Sequence, residues 1–219
     1  MEMEVISAFN RCAEEYDKWY YKEHGSLIFE SEVKAIEALA PEGLGIEVGV
    51  GTGVFSSRLG VFLGVDPALR MIKIAKGRGV NVVQALGELL PIKSESLDYG
   101  LFVFTTCFLR DTQASLREAW RVLKYGGNVI IGFIPRNSKL GKLYLKKKNE
   151  GHRIYKHANF YTLDEVEEIL GREGFRTIKT SATLYKAPET VRKVEEPSSD
   201  VSGSGFVCIK AVKTREGKP

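Results

Sequence analysis

Cysteine and histidine are both scarce, with three of each in 219 residues. Cys12, Cys107 and Cys208 lie far apart and are odd in number, so no disulfide framework is expected and a reducing, cytoplasmic setting is. The histidines form no H-x-x-x-H pair, and there is no C-x-x-C or acidic cluster, which leaves no motif for a metal site. Long apolar runs are missing as well. None approaches the roughly 20 residues of a membrane-spanning helix, and no signal peptide opens the chain. A large excess of one charge is also missing: a net +4 falls short of the basic footprint of a dedicated nucleic-acid binder. What is present is ordinary globular material, 43% hydrophobic and 27% charged, in a length that suits one domain with a full core.

The chain is organised around the stretch from Leu44 to Phe55. Ile46 and Val48 have the β-branched character of a buried strand, and Gly49, Gly51 and Gly53 follow at alternate positions. Without Cβ atoms such a loop can take positive φ and lie against a ligand. A helix starting after Gly53 would turn its unpaired N–H groups the same way. A tight strand-to-helix turn explains the same letters, and the next strand decides between the two. Val61 to Asp66 is apolar and ends in an acid 17 positions after Gly49 (66 − 49 = 17). There a βαβ unit places a carboxylate beside the first loop, able to accept hydrogen bonds from ribose hydroxyls. A nicotinamide dinucleotide is disfavoured, because its G-x-G-x-x-G or A wants a small residue where Val54 stands.

The pattern E-x-G-x-G-x-G (Glu47, Gly49, Gly51, Gly53) resembles motif I of the class I S-adenosylmethionine-dependent methyltransferases. That resemblance implies a loop, Val50 included, that curves under the methionine part of the cofactor, with Asp66 holding the ribose. Asp66-Pro67-Ala68-Leu69-Arg70-Met71 is similar to the family's D-x-S-x-x-M, which implies Pro67 and Met71 as adenine walls; plain core explains Met71 equally well. Leu86 to Ile92 resembles G-D-A-E-x-L-P-F and implies Gly87 and Glu88 at the adenine. Leu86, however, stands where relatives carry an acid for the adenine amino group. Glu88, a backbone carbonyl or stacking would have to replace it. Leu116 to Gly127 looks like L-x-E-x-x-R-V-L-K-P-G-G with Tyr125 in place of proline, a structural element that ends a helix and opens a strand. Strand four ends at Thr105, a further cofactor candidate, followed by Thr106-Cys107-Phe108 where relatives often carry paired histidines. Chemistry that depends on those histidines is not supported, and Cys107 reads as buried filler rather than a nucleophile.

In chain order, residues 4–40 read as helical. One stripe (Val5, Phe9, Cys12, Tyr16, Trp19) is expected to pack on the sheet, and a second runs through Val33, Ile36 and Leu39. Tyr16 is either a core residue or part of a closure over cofactor and substrate. Helix 54–59, a strand to Asp66, a helix opened by Pro67, strands 80–85 and 97–105, a helix to the Gly126-Gly127 pair and strand 128–133 follow. An insertion, 136–160, carries Leu140, Leu143 and Tyr144 as an apolar face, a lysine run at 146–148, and His152, Tyr155 and His157, the candidates for a general base. A capping box joins Thr162 to Glu165. Strand 175–185, a polar loop 188–204, strand 205–212 and a frayed tail 213–219 complete the chain.

Strands alternating with helices imply an α/β fold with both sheet faces covered. The resemblance adds that the seventh strand is antiparallel and slots between strands five and six. We therefore expect a Rossmann-like class I methyltransferase fold in one domain, 1–219: a seven-stranded, mostly parallel sheet with an N-terminal helical cap (1–40). The activity it implies is in-line transfer of a methyl group from S-adenosylmethionine to a small-molecule acceptor, as in the branch containing ubiquinone/menaquinone-type enzymes. Residues 136–160 are expected to act as a substrate lid, with Tyr16, Leu140 and Tyr144 at the acceptor. The residues leave open RNA or protein methylation, and cofactor binding without catalysis.

Overall fold

A computed structural model describes residues 2–215. Its centre is a seven-stranded sheet: β1 (Gly45–Val48), β2 (Leu63–Val65), β3 (Val82–Val83), β4 (Leu97–Val103), β5 (Leu123–Phe133), β6 (Phe175–Thr183) and β7 (Phe206–Lys213). Spatial order is β3-β2-β1-β4-β5-β7-β6. The first five strands pair in parallel, and β7 runs antiparallel to both β5 and β6. This is the Rossmann-like methyltransferase topology, with the last strand inserted between β5 and β6.

Alternation along the strands builds two cores. On one face Val48, Phe102, Ile131 and Ile209 meet Leu116 and Ala119 of α5 (Thr112–Val122) and Val166 and Leu170 of α7 (Leu163–Arg172). On the other, Leu101, Val103, Ile130 and Cys208 meet Val33 and Ile36 of α2 (Glu23–Glu37) and Val54 and Phe55 of α3 (Val54–Leu59). Covering both faces explains why β1 and β4 are almost continuously buried. The capping box is formed: Glu165 N donates to Thr162 Oγ1 at 3.3 Å, and Thr162 N to Glu165 Oε2 at 2.8 Å.

Several boundaries differ from the sequence reading, each for a physical reason. The helical cap is two helices, α1 (Glu2–Trp19) and α2, broken at residues 20–22. The stripe of α1 packs on α4 (Leu69–Gly77) rather than on the sheet, with Cys12 and Ala13 against Ala68 and Met71. Pro67 does not open α4, because the Asp66 carboxylate captures Ala68 N at 2.8 Å and delays the helix to Leu69. At the sheet edge, strand 80–85 shortens to Val82–Val83 as Val80 turns into the α4 core. Helix α5 stops at Val122, before the glycine pair, because Leu123 already pairs with Leu97; residues 124–127 then bulge before pairing resumes at Tyr99–Asn128. Lys213 is not frayed: its ammonium is buried, donates to Leu123 O at 2.7 Å and lies 3.9 Å above the Trp120 ring. Residues 216–219 of the expected tail lie outside the described residues. No described helix is long and apolar enough to cross a membrane.

Register makes Gly45 a close-contact position. A Cβ there would stand 2.0 Å from the ring of Tyr99, its partner across β1 and β4. Gly45→Ala is expected to destabilise by about 1–3 kcal/mol through overpacking. Chemical denaturation checks this, and an unchanged midpoint would show that the Tyr99 ring yields freely.

Candidate active site

The glycine loop leaves β1 at the carboxyl edge of the sheet. Gly49 N and Val50 N both donate to Val65 O, at 2.8 and 3.0 Å, which folds the loop back over β2. Gly49 has no room for a side chain, since a Cβ would stand 2.4 Å from Thr105, whose hydroxyl donates to Val48 O at 2.9 Å. Gly51, at φ +54°, is different. Its outer side is open except for the Tyr16 ring, 4.0 Å from where a Cβ would be, so bare backbone is presented beneath that ring.

Asp66 locks this arrangement. One carboxylate oxygen accepts from Gly51 N at 2.9 Å and the other from Ala68 N at 2.8 Å. Burial pushes its pKa up to about 6, against the opposing pull of those two N–H groups. A second clasp lies at Arg78, which donates to both Asp17 carboxylate oxygens (2.8 and 3.0 Å), to Tyr21 Oη (2.6 Å) and to Thr52 O. It ties the cap to the glycine loop through a largely buried ion pair.

Above the loop opens a cavity of 440 Å³. Gly49, Gly51, Asp66, Pro67, Met71, Gly87, Glu88 and Thr105 line it, bringing eight of the expected positions together, with Leu86, where the adenine acid is missing, beside them. Glu88 is partly committed, because Oε1 accepts from Arg110 N and Asp111 N at 3.0 and 3.2 Å. Tyr16, Leu140 and Tyr144 line it too, with Tyr20, Ile28, Glu32, Phe104 and Leu184. The insertion folds as α6 (Lys139–Asn149) and a 3₁₀ turn, Tyr155–His157, so that Tyr144 lies 4.5 Å from Tyr155 and stacks on Phe160 at 6.3 Å. His152 and Tyr155 also line the cavity. His152 Nδ1 accepts from Ile154 N and Tyr155 N at 3.3 and 3.4 Å, and burial lowers its pKa. Cys107 lines the wall too, its thiol donating to Phe104 O at 3.3 Å and pushed up by burial to about 12.

Four expected positions do not line the cavity. Val50 and Gly53 face α4, with a Gly53 Cβ placed 2.9 Å from that of Ala75. His157 sits outside, and Glu47 is buried behind the loop, where the Ser56 hydroxyl donates to its carboxyl.

Comparison with known proteins agrees with the geometry. A family model for the methyltransferase domain matches residues 46–131. A Thermotoga maritima crystal structure, of a SAM-dependent methyltransferase described as a possible histamine N-methyltransferase, matches with a TM-score of 0.91 at 38% identity, covering 96% of this chain and 100% of that one. The chain belongs to the S-adenosylmethionine-dependent methyltransferases. An uncharacterized protein of Methanocaldococcus jannaschii is 42% identical over 95% of this methyltransferase and 100% of its own length. A demethylmenaquinone methyltransferase of a Roseiflexus species is 24% identical, over 87% of this chain and 82% of that enzyme.

Glu32 is among the cavity residues that motif reading missed. Its signal was present, since an acid four positions after Ile28 falls on the same face of α2 as that buried apolar residue.

The buried carboxyls predict a pH dependence. Burial pushes the Glu47 pKa up to about 8, opposed by the Ser56 hydrogen bond. A group with a raised folded pKa binds extra protons in the fold, so its contribution falls as pH rises from the unfolded value, 4.5, through the folded one. Glu47→Gln is expected to flatten stability across that window. Asp66 and Glu32, both raised by burial, leave part of the slope. Denaturant midpoints at about pH 5, 6.5 and 8 test it; parallel curves for parent and variant would contradict the assignment.

Proposed function

We propose that this methyltransferase transfers the methyl group of S-adenosylmethionine to a small-molecule acceptor enclosed beneath the cap and the 136–160 insertion. The observation that carries this reading is one cavity reaching from the Gly51 backbone and Asp66 to Leu140 and Tyr144. The residues present fit the cofactor. Gly51 leaves bare backbone toward the cavity, and each Asp66 oxygen, with one backbone N–H already accepted, keeps lone-pair capacity for a ribose hydroxyl. Pro67 and Met71 offer apolar walls to adenine, and Leu86, Gly87 and Glu88 its edge; the backbone is the replacement for the missing acid, given the engagement of Glu88. When bound, the cofactor supplies a methyl already activated on a sulfonium.

The chain's own task is then positioning and exclusion of water, an effect that can be worth about 7–11 kcal/mol. Tyr16 and Tyr20, joined by a 2.7 Å hydrogen bond between their hydroxyls, close the cavity from the cap side. Leu140 and Tyr144 close it from the lid side. His152 is a poor base in this arrangement, because the nitrogen it would use already accepts two backbone N–H groups. A small acceptor accords with the Thermotoga relative's description as a possible histamine N-methyltransferase. Because one sheet runs through strands from Gly45 to Lys213, we treat the chain as one methyltransferase domain with cap and lid. Three free thiols suit a reducing, cytoplasmic setting.

S-adenosylmethionine or its demethylated product is expected to raise the melting temperature, and NAD to leave it unchanged. Asp66→Ala is expected to weaken S-adenosylhomocysteine binding at least about tenfold, from two lost charge-assisted hydrogen bonds. Calorimetry reads the affinity, with circular dichroism to show a retained fold. Mass-spectrometric product detection on a metabolite pool identifies the acceptor. Undiminished affinity in a folded Asp66→Ala variant would remove the ribose assignment, and transfer only to RNA or protein would remove the small-molecule one.

A further inference from the structure

Glu32 occupies an unusual position. Its side chain lines the cavity, yet the residue is only 3% exposed. Oε2 is buried without a hydrogen-bond partner, and no described lysine, arginine or histidine pairs with the carboxyl. Its electrostatic neighbours are Tyr16, Tyr20, Tyr144 and Cys208, all neutral groups whose pKa values are raised. Leaving a buried acceptor unsatisfied is destabilising, and native proteins rarely do so without a reason. Aromatic rings surround the same part of the cavity: Tyr16 and Tyr20 have centroids 5.4 Å apart, and Phe104 continues the series through Phe55 at 6.0 Å. A carboxyl with no partner, in a cavity lined by aromatic side chains, matches an organic cation in two ways, by charge and by cation–π attraction.

From this arrangement we infer that Glu32 is the anchor for the ammonium group of an amine-bearing acceptor. The inference rests on the proposed methyltransferase reading and specifies its substrate class. Lys22, Lys147 and Lys186 also line the cavity, but none pairs with Glu32. A carboxylate acceptor would meet the Glu32 carboxyl as an unpaired like charge or compete with it for a proton. Ammonium binding draws Glu32 into its ionised form, so one proton leaves the carboxyl for solvent as the ion pair forms.

Three probes that share one aromatic body separate the alternatives: 2-phenylethylamine, 2-phenylethanol and 3-phenylpropanoate. Each is titrated by calorimetry into the full chain saturated with S-adenosylhomocysteine. The amine is expected to bind at least about tenfold tighter than the other two, with proton release seen as a heat that depends on the buffer. Glu32→Gln and Glu32→Leu are expected to abolish both the preference and the proton release while leaving S-adenosylhomocysteine affinity unchanged. Equal affinity for the three probes, no binding of any, or an amine affinity unaffected by either substitution would overturn the inference. The head-group preference of the parent protein needs no variant, so a variant that fails to fold does not shelter it. Failure of S-adenosylhomocysteine itself to bind would instead overturn the underlying methyltransferase reading.

Discussion

The two hydrogen bonds that Asp66 accepts are the constraint on which the site depends. Through them one carboxylate at the end of β2 fixes the glycine loop after β1 and the entry into α4. Either bond alone would leave one segment free to move. Together they set the Gly51 backbone, Pro67 and Met71 in one frame. Burial works against the arrangement by raising the carboxyl's pKa, and the two N–H donors work for it. The site is thus preorganised by groups that are themselves part of the backbone, and no long side chain has to be ordered when a ligand arrives.

Much of that frame is legible in the residue order. Three alternate glycines, an acid 17 positions on and the Leu116–Gly127 stretch place the loop, the carboxylate and the fifth strand, because each answers a local steric demand. Gly49 leaves no room for a Cβ beside Thr105. What the residue order does not carry is the direction in which a side chain points once packing is settled. Glu47 belongs to the same motif as Gly49 and Gly51, yet strand alternation and the Ser56 hydroxyl turn it behind the loop. Pro67 has the chemistry of a helix start, but the Asp66 bond to Ala68 N captures the first turn. The β5 boundary was hidden because Leu123, at the end of a strongly helical pattern, is claimed by pairing with Leu97 across the sheet. Such long-range choices override local propensity.

Glu32 illustrates the converse, a residue whose meaning appears only when two elements meet. On the sequence it is one acid among many in α2. In the fold its electrostatic neighbours are Tyr16 of α1, Tyr20, Tyr144 of α6 and Cys208 of β7, and no cation is paired with it. An unsatisfied buried polar group is destabilising by roughly 1–3 kcal/mol. Stability alone would favour an apolar residue there, of the kind that occupies neighbouring Val33 and Ile36. A local violation of this sort is where function is expected to reside in an otherwise consistent fold.

The two ends of the cavity are also held with different firmness. At the glycine loop the cap is clasped by Arg78 and Asp17, whose side chains are 17% and 18% exposed, with Thr52 O and Tyr21 sharing the guanidinium. At the other end the polar ties between segments are exposed pairs, Arg153 of the 136–160 insertion with Glu15 of the cap and Lys34 of α2 with Glu196 of the 188–204 loop, beside the packing of Ile154 on α1 and a bond from Glu195 N to Ser31 Oγ at 2.9 Å. Exposed pairs of this kind are weak in water, whereas the Arg78–Asp17 pair is largely buried and shares its guanidinium with a carbonyl and a phenol. The 136–160 insertion is therefore tied to the cap by a weaker polar contact than the glycine loop is.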